Sequence, residues 1–143
     1  MKQADVDKRL FVPLCSGPYE WFRSGQKTWE LRRYGRQFTE KHVIQGRKVE
    51  LRRGYSSRED ALNGVVCDVV RADGLRSFFG KVSYREVIPT ADSEESAVRQ
   101  AAEILRIPAD GDTPLLGMHV VFEDRRDSSC HADELATSDG AVE

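Results

Sequence analysis

Two stretches of the sequence alternate apolar and charged residues with a period of two, which is the period of strands buried on one face. In Lys27–Tyr34, Trp29 and Leu31 fall on one side, and Thr28, Glu30 and Arg32 fall on the other. In Arg47–Arg53, Val49 and Leu51 face inward while Lys48, Glu50 and Arg52 face outward. A chain carrying such strands must build a sheet with one apolar face and then cover it.

The remaining segments say how. Lys8–Leu14 reads as a first strand closed by Pro13, and Ser16 is placed to cap a short helix with Pro18 in its first turn and Trp21 and Phe22 on its apolar side. Gly25 stands where helices favour a left-handed residue. Residues 35–46 read as an irregular crossing between Gly35 and Gly46. Ser56 with Glu59 forms a capping-box pattern, Asn63-Gly64 reads as a turn, and Val65–Ala72 reads as a central strand. Leu75–Val82 predicts a short helix leading into an extended Tyr84–Ile88. Asp92 with Glu95 predicts the start of the main helix, Ser93–Leu105, whose Ala97, Val98, Ala101, Ala102, Ile104 and Leu105 form an apolar stripe. Leu115–Phe122 reads as the last strand.

No strand–helix–strand repetition is visible, so a doubly wound parallel sheet is not expected. The order predicts an α+β fold: a small mixed or antiparallel β-barrel with flanking helices. At 143 residues one domain is expected. It is placed at 8–124, followed by a disordered acidic tail over 125–143 that is poor in apolar residues.

The formal net charge of -2 hides a polarity along the chain. Residues 23–58 hold eleven lysines and arginines against three glutamates, and residues 86–143 hold four against fourteen acids. A basic block of that size is the electrostatic footprint expected for a phosphate backbone; the alternative is neutralisation by the acidic end. The apolar run Leu10–Leu14 is too short for a signal segment and is broken by proline, which predicts a cytoplasmic protein with no membrane association. The three cysteines, Cys15, Cys67 and Cys130, and the three histidines are scattered, so neither a disulfide framework nor a metal site is expected, and no cofactor. Cys67, inside an apolar strand, reads as core. Nucleophile elbows, phosphate loops and metalloprotease helices are absent from the sequence.

Gly25-Gln-Lys27-Thr-Trp-Glu30-Leu-Arg32 can be written G-x-K-x-x-E-x-R, and here the sequence resembles the ASCH domain family of the PUA-like barrel superfamily. The Trp21-Phe22 helix before the motif, Val49–Tyr55 after it and the alanine-rich helix before the last strand extend the resemblance over roughly residues 8–124. It implies a β-barrel with a cleft beside the motif that binds RNA or a modified nucleotide. One branch of the superfamily removes the acetyl group from N4-acetylcytidine with a lysine, a threonine and a glutamate. Lys27 matches that lysine, but the threonine falls where this chain has Glu30.

The residue chemistry suits binding. Arg32 offers a fork to phosphate or a base edge, and ionised Glu30 only accepts, so it reads an amino group or orients Arg32. Lys27 lies on the opposite parity and reaches the same cleft only if the turn after Gly25 distorts the strand. Trp29 shares its parity with Leu31, which favours core packing over base stacking. Arg33, Arg52, Arg53 and Tyr55 are expected to flank the site. The alternative for Glu30 and Arg32 is a solvated cross-strand charge ladder with Lys48, Glu50 and Arg52. The leading expectation is therefore a monomeric RNA- or nucleotide-binding domain. A hydrolase of the same fold, an amidohydrolase or ribonuclease with Lys27 and Glu30 as catalytic residues, is the second. A module for an acidic protein partner is the third.

Overall fold

In the structure, a computed structural model, residues 8–54 and 61–122 are described. Their order is β1 (Leu10–Leu14), α1 (Ser16–Arg23), β2 (Trp29–Arg33), β3 (Lys48–Arg53), β4 (Ala61–Asp73), α2 (Leu75–Phe79), a 3-10 turn (Tyr84–Glu86), α3 (Glu94–Leu105) and β5 (Pro114–Phe122). The expected tail, Tyr55 and the Ser56/Glu59 pattern lie outside the described residues.

The five strands form one mixed sheet in the order β1-β3-β4-β5-β2. β1 and β3 are parallel, and every other pair is antiparallel. β4 is the long spine: Ala61–Val65 pairs with β3, and Gly64–Asp73 pairs with β5. A bulge between Val66 and Asp68 lets it bend. The bulge also shifts the apolar parity by one, so Leu62 and Val66 before it and Val69 after it face the same cluster.

The sheet curls until its two edge strands approach each other. Side chains bridge the seam: Arg32 of β2 donates from Nη2 to the Pro13 carbonyl of β1 at 2.7 Å. Gln37, just beyond β2, donates to the Phe11 carbonyl at 2.9 Å. The exposed edge of β1 thus has its odd-numbered carbonyls satisfied without a neighbouring strand.

Each face buries its own cluster. Inside the curl lie Leu10, Val12, Leu14, Val49, Leu51, Val66, Leu116, Met118 and Val120, closed at one end by Tyr19 and Phe22 of α1. On the outer face, α2 and α3 pack Phe78, Phe79, Ala97, Val98 and Ala101 against Trp29, Leu31, Ala72 and Leu115. Trp29 is core, stacked on His119 at 5.3 Å and edge-on to Phe78 at 6.3 Å.

Four local expectations are corrected. Asn63-Gly64 is not a turn but lies within β4; a Cβ on Gly64 would come within 2.7 Å of Val120 Cγ1, so the glycine is there for close approach to β5. Tyr84–Ile88 is not extended, because Ser83 accepts from Arg85 N–H and starts a 3-10 turn. The cap of α3 is Ser93, accepting from Ser96 N–H, one residue after Asp92. The cap position of α1 is Cys15, so Ser16 is the first helical residue.

Candidate functional site

The motif starts from the end of α1. Gly25 takes a φ of 87°, and Lys27 N–H then donates back to the Trp21 carbonyl at 3.0 Å. Thr28 is held from both sides: its N–H donates to the Glu86 carbonyl at 2.9 Å, and its carbonyl accepts from Val120 N–H at 2.9 Å. Its hydroxyl donates to the Glu86 carboxylate. β2 therefore begins only at Trp29, and Lys27 is freed from strand parity.

That freedom turns Lys27 toward Glu30. The lysine is 4% exposed and Glu30 is 6% exposed. Lys27 Nζ donates to the Val87 carbonyl at 2.7 Å, lies 3.6 Å from Glu30 Oε1 and sits 5.3 Å from the centre of the Phe22 ring. Burial pushes the Lys27 ammonium below its ordinary range, and the neighbouring Glu30 charge opposes that shift.

Glu30 in turn holds Arg32, whose Nε donates to Oε2 at 2.5 Å. The Arg32 guanidinium also lies 4.9 Å from the centre of the Phe38 ring. With Nη2 on Pro13, only Nη1 has no protein partner among the described residues. Lys27, Glu30 and Arg32 thus form one continuous line of charge from beneath α1 to the seam, with a net charge of one positive unit when all three are ionised.

The other residues singled out in the sequence lie on both faces of the sheet. Arg33 is exposed on the outer face, opposite Leu115. Arg52 also faces outward, paired with Glu50 and 5.0 Å from the Phe11 ring centre. Arg53 ends β3 over Tyr19 at 5.4 Å. A charge ladder between β2 and β3 is excluded by the strand order, since β4 and β5 lie between them. The acceptors that complete the site, the carbonyls of Pro13 and Val87, left no sequence signal because any residue supplies one. Among the described residues, no group of three or more His, Cys, Asp and Glu is placed to hold a metal ion. Nor is any described helix long and apolar enough to cross a membrane.

No family model and no curated protein matches the chain. Solved structures do. The hypothetical protein PH0355 superposes with a TM-score of 0.63 at 15% identity, over 78% of this chain and 96% of that one. Protein PF0455 from Pyrococcus furiosus gives 0.59 at 14%, over 81% and 98% of the two chains. A serine-to-alanine variant of the ASCH protein from Zymomonas mobilis gives 0.56 at 13%, over 82% of this chain and 70% of that one. At these identities the likeness establishes architecture: the chain has an ASCH-like fold, an α+β half-barrel of the PUA-like type.

Proposed function

We propose that this ASCH-like chain binds single-stranded RNA or a nucleotide at the seam between β1 and β2. Arg32 is the cation that meets the ligand, and Lys27 and Glu30 hold it in place. The observation that carries this reading is the state of the Arg32 guanidinium: Nε and Nη2 are fixed by Glu30 and Pro13, while Nη1 is left for a ligand. A fork pinned on two sides loses little further freedom when it meets a phosphate or a base edge. The positive segment 23–58 supports the same reading by steering an anion toward the sheet.

Fluorescence anisotropy with labelled single-stranded RNA tests it. Affinity falls steeply with salt, and Arg32→Ala weakens binding to every sequence while lowering the salt slope by about 0.7. Glu30→Gln loosens the fork that Glu30 holds, so it weakens binding to every sequence in the same direction as Arg32→Ala and by less. Binding that is flat from low to physiological salt defeats the phosphate reading.

Hydrolysis is a second reading, favoured by one observation: Lys27 is a buried amine with a lowered pKa beside a carboxylate. Incubation with acetylated cytidine or RNA decides between them. Turnover that vanishes in Glu30→Gln with binding retained makes the protein an enzyme.

A further inference from the structure

β5 carries Leu116 opposite Arg32 on one side and opposite Arg71 on the other. Directly opposed residues in antiparallel ladders share a face. Arg32 and Arg71 therefore flank Leu116 on the concave face, with backbones two strand spacings apart, roughly 10 Å. Tyr34, two residues beyond Arg32, continues the same face and packs against the inner cluster.

The two arginines are built alike. Arg32 lies on Phe38 and pairs with Glu30; Arg71 lies on Tyr34, with Cζ 4.1 Å from the ring centre, and its Nη1 is 3.9 Å from Glu40 Oε2. Tyr34 donates its hydroxyl to Glu40, which raises the tyrosine pKa and lowers that of the glutamate. The phenol stays protonated and the carboxylate ionised, so the platform is fixed.

Their differences assign different ligands. The Lys27–Glu30–Arg32 line carries a net positive charge, whereas Arg71 and Glu40 cancel. The Arg71 side chain is 49% exposed, and its Nε and Nη2 have no partner among the described residues. A neutral ion pair with an open guanidinium plane favours a π-face over a second anion.

We infer that Arg71, backed by Tyr34, is a second subsite of the concave face, where a base of single-stranded RNA stacks on the guanidinium while a phosphate of the same strand sits on Arg32. The inference rests on the RNA reading above and sharpens it. The ligand is an oligonucleotide spanning β5, longer than a single nucleoside.

Arg71→Lys keeps the charge and discards the plane, so it tests the stack. The affinities of wild type and variant are measured for a single-stranded hexaribonucleotide and for an abasic hexamer of the same length. Thermal melts of both proteins confirm that this charge-conserving change leaves the fold intact. The variant binds the base-bearing hexamer about fivefold or more weakly and the abasic hexamer within about twofold of wild type. An equal loss on both ligands, or no loss on either, overturns the second subsite and leaves the Arg32 reading standing. Wild type that binds neither hexamer overturns both.

Discussion

Arg32 and Pro13 stand on strands at opposite edges of the sheet, yet the arginine Nη2 donates to the proline carbonyl at 2.7 Å. The guanidinium proposed to meet a ligand also holds the seam closed. The proposal therefore ties binding to stability at one side chain.

The first expectation follows directly. Arg32→Met removes a charged hydrogen bond at each end and leaves Glu30 with Lys27 alone, costing about 1.5–3 kcal/mol in chemical denaturation. Arg32→Lys keeps the charge but cannot reach Glu30 and Pro13 as a fork, and it recovers less than half of that loss. Both variants matching wild type would mean that the seam is held by Gln37 and packing alone.

Lys27 and Glu30 form a buried pair, and such pairs reveal themselves when only one partner is removed. Lys27→Met leaves a buried carboxylate without its ammonium and lowers stability by about 3–5 kcal/mol. Lys27→Met with Glu30→Leu recovers part of it, because the double variant buries no carboxylate, while the half-buried Arg32 loses its partner. A double-mutant cycle measures this coupling, and additive single losses would show that the two do not act as a pair.

The Lys27 pKa fixes a pH dependence with a definite sign. The amine is lowered in the folded state by burial, against an ordinary value of 10.5. Between the folded and unfolded values the unfolded chain binds more protons, so raising the pH through that interval favours folding. Below the folded value the full cost of burying the charge is present, and above 10.5 it is gone. Wild-type stability relative to Lys27→Met should therefore climb with alkaline pH. A flat or falling difference would contradict the assigned direction.

Gly117 lies where β5 passes under α2, and a Cβ there would overlap the Phe78 ring and come within 3.4 Å of Trp29 Cε3. Both rings are buried and cannot step aside cheaply. Gly117→Ala should destabilise by about 1–3 kcal/mol, read as a lower denaturation midpoint at an unchanged slope. An unchanged midpoint would mean that α2 slides freely over the sheet.

The alternation in β2 carried real information. It separated Trp29 and Leu31, which pack under the helices, from Glu30 and Arg32, which face the curl. It could not say which strand lies beside β2, because that partner, β5, is almost ninety residues away and its own sequence is apolar on both faces. Adjacency in sequence and matching charges therefore suggested a ladder with β3 that the topology rules out. Gly64 misled for a related reason: a glycine before Val65 looks the same whether it turns the chain or admits a neighbouring strand. Arg71 was hidden inside an apolar run, and its place opposite Leu116 depends on a bulge that no local pattern announces.

The strand order also sets a timetable for folding. β2, which carries Glu30 and Arg32, has β5 as its sole hydrogen-bonded neighbour in the sheet, and β5 is the last of the described strands to be made. While the chain is being synthesised, β1, β3 and β4 can assemble in turn, but β2 must wait as an unpaired segment until Phe122 has left the ribosome. The charged seam is thus a late product of folding. A ligand that docks there as proposed meets the site only after β5 has been made.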